Sequence, residues 1–145
     1  TVEHIGFRST LIRQFNSTPI SIPNYVLSDT SIINFSDRKY RRIRWVIGLT
    51  YDTSIKQLKN ICNNIDKKIR TNKDFIINES YNLHVRVEKF NDSSIDILIN
   101  TFTNTNDWEE YLKIKEGLVF IIKDIVENNE SSFAFPSQSI YVEKS

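Results

Sequence analysis

The feature that most constrains this fold is the order in which hydrophobic spacing changes between residues 42 and 133. From Ile43 to Tyr51 apolar residues occupy the odd positions, which is the pattern of a half-buried β-strand. Spacings of three and four follow from Ile55 to Ile69, as on one face of an α-helix. Two more alternating stretches, 83–88 and 95–99, are joined by four polar residues that favour a hairpin loop.

A second helical pattern completes this series. It begins at Thr105-Asn106-Asp107, whose side-chain oxygens can cap free helix N–H groups, and it extends to Val126. An extended segment follows and is interrupted by Pro136. The order β-α-β-β-α-β is that of a ferredoxin-like domain, in an α+β protein. Trp45 and Trp108 are interpreted as core anchors.

Alternation predicts two different faces for the sheet of this domain. Both helices are expected to cover the apolar face, which carries Trp45, Ile47, Val85, Val87, Ile97 and Ile99. The opposite face is expected to be wet, and it carries Arg44, His84, Arg86, Glu88, Asp96 and Asn100.

The first 37 residues have the turn and strand-end residues expected of a small β-domain. Two short strands meet at 16–19, and the second ends in Pro23, which cannot donate a ladder hydrogen bond. Residues 32–35 are predicted to form a further short strand. The basic run 38–44 then leads into the ferredoxin-like domain and is interpreted as a charged hinge.

Length and composition limit the classes of protein to which this chain can belong. A chain of 145 residues with 39% hydrophobic residues can form one ordinary domain or two small ones. The formal charge of +1, from 19 Lys and Arg against 18 Asp and Glu, gives no strong global attraction to nucleic acid. No apolar run approaches the roughly 20 residues that a membrane-spanning helix needs. A single cysteine excludes an internal disulfide framework.

Catalytic chemistry finds no support in the sequence. Neither His4 nor His84 has a nearby nucleophile, and Cys62 lies on the apolar stripe of the first helix, where it is interpreted as a buried hydrophobe. Acids at 107–110 suit the positive end of a helix dipole. Three isolated glycines make no phosphate-binding loop. We therefore expect no enzyme, no cofactor and no metal site.

The basic run from Arg38 to Arg44 leaves an alternative open. It could contact phosphates in a soluble nucleic-acid-binding or adaptor module. An RNA-recognition module of this topology would need stacking aromatic residues and a glycine-rich motif in its third strand. The stretch 95–100 has neither, which favours the hinge interpretation and no nucleic-acid partner.

Several sequence motifs, which occur in the same order along essentially the whole chain, resemble those of the small-conductance mechanosensitive channel (MscS) family. The β-domain pattern of that family is matched by Val2, Ile5, Arg8, Thr10 and Arg13, and its Ile-Pro-Asn by residues 22–24. Further similar phrases are Ile47-Gly48-Leu49-Thr50-Tyr51-Asp52-Thr53, Phe90-Asn91-Asp92-Ser93-Ser94, Asp107-Trp108 and the segment from Phe133 to Tyr141.

The resemblance implies three parts. Residues 1–37 would be an Sm-like β-domain lacking its first strand, 38–133 the ferredoxin-like α/β domain, and 134–145 an assembly strand. It implies a homoheptamer on the cytoplasmic side of the inner membrane, attached through helices outside this chain, which by itself would be soluble. The full protein would open under membrane tension and release ions and small solutes during osmotic downshock.

Two groups of residues follow as candidate sites. A lone terminal strand has unpaired backbone edges, which copies around an axis can satisfy by closing a barrel. The predicted assembly residues are Pro136, Gln138, Ile140, Tyr141 and Val142. The charges predicted to face a water-filled vestibule are Arg44, Arg86, Glu88 and Asp96.

Overall fold

The computed structural model describes residues 1–136, and the chain divides into two compact units, Thr1–Asp37 and Arg38–Ser145. Unit 1 contains a three-stranded antiparallel sheet in the order β1 (Val2–Ile5), β2 (Ser9–Arg13) and β3 (Pro19–Pro23). A short helix, α1 (Asn24–Asp29), follows directly.

The turn between β2 and β3 is set by side chains. Ser17 has a positive φ of 66°, and the backbone N–H of Thr18 donates to Oδ1 of Asn16 at 3.1 Å. The strand predicted over residues 32–35 is wrong: no strand forms there, and a 3₁₀ turn covers Phe35–Asp37. Ile32 and Ile33 are adjacent, so a strand would put them on opposite faces, and both are exposed.

Asn24 ties the first turn of unit 1 together. Its Nδ2 donates to the carbonyl of Gly6 at 2.9 Å, and its Oδ1 accepts from the Thr10 hydroxyl at 2.8 Å. Its backbone N–H donates to the carbonyl of Arg8 at 3.0 Å. A Cβ on Gly6 would lie 2.9 Å from the Ser9 carbonyl oxygen, so the tight turn needs glycine for space. The Asn that follows Ile22-Pro23 is therefore a structural clamp.

Within residues 38–136, unit 2 has six regular elements, and all pairings between its strands are antiparallel. They are β4 (Arg41–Leu49), α2 (Ile55–Thr71), β5 (Phe75–Ile76), β6 (His84–Phe90), β7 (Ile95–Thr103) and α3 (Trp108–Asn128). Strand β7 is central, with β4 on one side and both β5 and β6 on the other. An isolated antiparallel bridge joins Leu49 to Phe133 on the other edge of β4. The ferredoxin-like βαββαβ prediction is confirmed.

The helices begin where the sequence places caps. Ser54 and Gln57 form a reciprocal capping box at α2, and Oδ1 of Asp107 accepts from the backbone N–H of Glu110 at 2.8 Å at α3. The acid at position 107 thus has a structural role. Both helices bury their apolar stripes against the sheet face carrying Ile43, Val85, Ile97 and Ile99.

Two expectations about this core need correction. Trp108 is 56% exposed, because it lies in the first turn of α3, where it stacks on Tyr111 and Arg41 at the edge of the domain. It is not a core anchor. Val87 is also exposed, at the point where a bulge in β6 shifts its register against β7. Cys62 is buried as predicted.

Candidate sites: a basic sheet face and an open sheet edge

The sheet face away from the helices is organised by strand register. Arg44 of β4, Asn100 of β7 and His84 of β6 form one row across three strands. Arg42 lies opposite Phe102 in the next row. Because side chains at i and i+2 share a face, all of these lie on the side that the helices do not cover.

Three guanidinium groups share this face with few negative partners. Nε of Arg42 donates to Oδ1 of Asn100 at 2.6 Å. An Nη of Arg44 lies 3.6 Å from Oε1 of Glu88, a long ion pair between partly exposed side chains. An Nη of Arg86 donates to the neighbouring Val85 carbonyl at 2.9 Å. Among residues 1–136, only Arg44 of these three has a carboxylate within 4 Å.

The exposure expected for Asp96 and Asn100 is wrong. Asp96 is only 4% exposed, and Asn100 only 7%. The Asp96 carboxylate accepts from the Ser94 hydroxyl at 2.6 Å and from Nδ2 of Asn91 at 3.2 Å, so the hairpin folds over it. Asn100 is covered by the arginine that binds it. Arg44, Arg86 and Glu88 are exposed, and their vestibule-facing position stays a prediction.

Gly48 lies under the same hairpin. A Cβ at this position would be 2.8 Å from the Cβ of Ser94 and 3.0 Å from its Oγ. The strand can therefore approach the Ser94–Asp96 pair only because residue 48 has no side chain.

An aromatic cluster at the end of this face was not anticipated from the sequence. The ring of Tyr81 contacts Tyr40 and Phe102 edge to face, with centroids 4.8 and 5.0 Å apart. All three side chains are half-buried. The alternation of β7 does place Phe102 on the polar face, but Tyr40 and Tyr81 lie outside regular strands, so only the fold brings them there.

The outer edge of β4 is the second candidate site. The backbone N–H of Ala134 donates to the Gly48 carbonyl at 2.9 Å, and that of Thr50 donates to the Ser132 carbonyl at 3.1 Å. In the described part of the chain, sheet pairing on this edge is confined to that short segment. Pro136 is exposed just beyond it. The other predicted assembly residues, Gln138, Ile140, Tyr141 and Val142, lie outside the described residues.

An apolar cleft of about 310 Å³ opens beside this edge. Its lining comes from the edge strand, from α3 and from the segment after α3: Trp45, Val46, Ile47, Val119, Ile122, Lys123 and Phe133. Val46 and Val119 are each nearly half exposed. Val119 belongs to the apolar spacing of α3, but that spacing does not show how far the sheet extends under the helix.

Other features of the described residues point to structure. Burial raises the pKa of the Cys62 thiol, so the neutral thiol is favoured. No group of three or more His, Cys, Asp or Glu side chains within 1–136 is placed to hold a metal ion. Among the helices of that range, none has the length and hydropathy needed to cross a bilayer.

Two protein-family models match this chain. "Mechanosensitive ion channel, beta-domain" matches residues 1–37, and "Mechanosensitive ion channel MscS, C-terminal" matches residues 43–133. An uncharacterised MscS family protein of Aquifex aeolicus is 44% identical over 144 residues, covering 99% of this chain and 39% of its own length. The low conductance mechanosensitive channel YnaI of Escherichia coli is 34% identical over 143 residues, covering 99% of this chain and 41% of its own.

Solved structures show the same fold. Closed-state MscS of Helicobacter pylori matches with a TM-score of 0.77 at 22% identity, covering 99% of this chain and 54% of that one. MSL1 of Arabidopsis thaliana matches with a TM-score of 0.85 at 20% identity, covering 93% and 48%. This chain spans about two fifths of the length of the relatives named above. The two consecutive family matches show that the chain belongs to the MscS family of mechanosensitive ion channels and contains its β-domain and C-terminal domain.

Proposed function

We propose that this chain is the cytoplasmic portion of a channel subunit that opens under membrane tension and releases ions and small solutes during osmotic downshock. The observation that carries this proposal is the uninterrupted order of the two family matches, 1–37 and 43–133. Relatives named as mechanosensitive channels in Escherichia coli and Methanocaldococcus jannaschii support it at 34% and 35% identity. Membership of a channel family also agrees with the expectation that the protein is not an enzyme.

The direct test uses the full-length protein. It is expressed in a bacterial strain lacking its own mechanosensitive channels, and survival is measured after a rapid drop in external osmolarity. Rescue of survival, with tension-activated currents in membrane patches, is the expected result. Normal expression at the membrane with neither rescue nor current would refute the proposal.

We propose further that subunits form a ring of seven, with residues 134–145 as the assembly segment. Among residues 1–136, only the short segment 132–134 pairs with the outer edge of β4. This edge and the apolar cleft beside it support a protomer that buries more surface in an assembly. Light scattering gives the mass of the full-length protein and of a form ending at Ala134. A heptamer that is lost or weakened on truncation is expected, and an unchanged heptamer would remove the role of the tail.

The vestibule-facing role of Arg44, Arg86, Glu88 and Asp96 remains part of this proposal, with the burial of Asp96 reducing its contribution to the field. Reversal of charge at Arg44 or Arg86 in the full-length channel should move the reversal potential in a salt gradient toward cation preference. Lys59→Glu on exposed α2 supplies a control with the same charge change. Unchanged reversal potentials in both arginine variants would refute a vestibule position for these side chains.

A further inference from the structure

The basic face of unit 2 has more cationic groups than its own carboxylates can neutralise. Arg42, Arg44 and Arg86 lie on one face of three adjacent strands together with His84. We call these four side chains the basic cluster. Of the two nearby acids, Asp96 is buried and held by Ser94 and Asn91, so only Glu88 reaches a guanidinium of the cluster.

Register fixes how close the members of the basic cluster lie. Neighbouring strands are about 4.8 Å apart, and residues i and i+2 on one strand are about 6.8 Å apart. Arg44 and His84 therefore flank Asn100 on its two sides, and Arg42 lies one row away on the same strand as Arg44. Arg42 and Arg44, the two cations at such a spacing, repel each other, and an anion bound between them would relieve that repulsion. Arg86 lies opposite Leu98, two strands from Arg44 and one row along.

Contacts within the domain use only some of the donors on the three arginines. Arg42 is anchored through Nε to the buried Asn100, which leaves its two terminal Nη groups as further donors. Arg86 spends one donor on the Val85 carbonyl, and Arg44 makes only a 3.6 Å contact with Glu88. Planar guanidinium groups with free paired donors match the oxygens of phosphate and carboxylate groups.

From this geometry we infer that the basic cluster binds a small oxyanion carrying at least two negative charges, of the phosphate or pyrophosphate type. The inference goes beyond the proposed channel function and does not depend on ring assembly, because every contributing residue belongs to unit 2 of one chain.

The aromatic cluster next to Arg42 argues for a small anion and against single-stranded nucleic acid. Nucleic-acid surfaces of this kind stack bases on free aromatic faces. Here Tyr81 packs edge to face against both Tyr40 and Phe102, and all three rings are half-buried against one another. These rings contact one another within the domain, and the charges beside them suit phosphate oxygens.

Glu88 is the internal competitor for the anion. Its carboxylate pairs with Arg44 across the face, so a bound anion must displace or share that contact. Removal of the Glu88 charge should therefore strengthen anion binding, whereas removal of an arginine should weaken it.

The test titrates pyrophosphate into the 145-residue chain at low ionic strength and follows heat and arginine side-chain NMR signals. Saturable binding is expected, weakened about tenfold or more in Arg42→Gln and in Arg86→Gln, since each change removes charge-assisted hydrogen bonds to the anion. Glu88→Gln should bind more tightly. Lys59→Gln on the exposed surface of α2 is the charge-matched control and should bind as the parent chain does. Circular dichroism confirms folding, and Arg42→Lys supplies a milder variant if Arg42→Gln unfolds.

Three results would overturn the inference. The first is the absence of saturable binding of pyrophosphate to the folded chain. The second is equal weakening by Lys59→Gln and the arginine variants, which indicates only general charge attraction. The third is binding of a single-stranded oligonucleotide far tighter than that of pyrophosphate, which would identify the face as a nucleic-acid surface. Channel activity enters none of these readouts, so failure here leaves the proposed function unaffected.

Discussion

Two glycines in unit 2 should respond in opposite directions to the same added methyl group. At Gly48 a Cβ would lie 2.8 Å from the Cβ of Ser94, well inside normal contact. At Gly117, in the middle of α3, no atom outside the helix backbone lies within 4 Å of the added Cβ. Neither glycine has a positive φ, so space decides the outcome and backbone conformation does not.

The expected magnitudes follow from these surroundings. To relieve the clash of the methyl group added at position 48 with Ser94, the hairpin must move or the 2.6 Å hydrogen bond between Ser94 and Asp96 must break. Such overpacking costs about 1–3 kcal/mol, from which about 0.5–1 kcal/mol of unfolded-state entropy is recovered. Gly48→Ala should therefore lower the free energy of unfolding by roughly 1 kcal/mol, while Gly117→Ala should raise it by about 0.5–1 kcal/mol.

Urea unfolding followed by tryptophan fluorescence measures both effects, because the two tryptophans of the chain, Trp45 and Trp108, lie in unit 2. The double variant Gly48→Ala with Ser94→Gly removes the clashing Cβ, so it should recover part of the loss in a double-mutant cycle. Equal stability of Gly48→Ala and the parent chain, or destabilisation by Gly117→Ala, would refute the reasoning. If Gly117→Ala destabilises the assembled protein but not the isolated chain, a neighbouring molecule packs on that turn of α3.

Three further predictions concern single side chains. Thr101→Val should stabilise unit 2 by about 1 kcal/mol in the same urea assay, because the Thr101 hydroxyl is buried without a hydrogen-bond partner among the described residues; a loss of stability would reveal an unseen partner. Asn24→Ala should destabilise unit 1 by about 1–3 kcal/mol, since it removes the part-buried hydrogen bonds of the Asn24 side chain. Amide hydrogen exchange in the turn at residues 6–8 should therefore become faster, and unchanged exchange would contradict this prediction. Because burial raises the pKa of the Cys62 thiol, unfolded chains lose its proton at lower pH, so stability should fall as pH rises above about 9. Cys62→Ala should flatten that decline in pH-dependent melting, and an identical decline in the variant would argue against Cys62 as its source.

Sequence periodicity was sufficient for the long strands and the helices of unit 2, although the two-residue β5 was not predicted. Alternation in β4 and β7 and the three-four spacing in α2 depend only on which side chains can be buried together, so they predicted strands, helix and order correctly. The caps at Ser54 and Asp107 were readable for the same local reason, because an N-cap needs only its own side chain and the next three residues.

The sequence by itself therefore determined the family, the helix caps and the order of the long elements of unit 2, which are properties of local spacing and of motifs in a fixed order. Only the tertiary structure decided that Asp96 and Asn100 are buried on a face expected to be wet, because their cover comes from a folded hairpin and from Arg42 on another strand. The tertiary structure also decided that Trp108 is exposed and that Tyr40, Tyr81 and Phe102 form one cluster. Burial depends on what the rest of the chain places above a side chain, and periodicity along one strand carries no information about that.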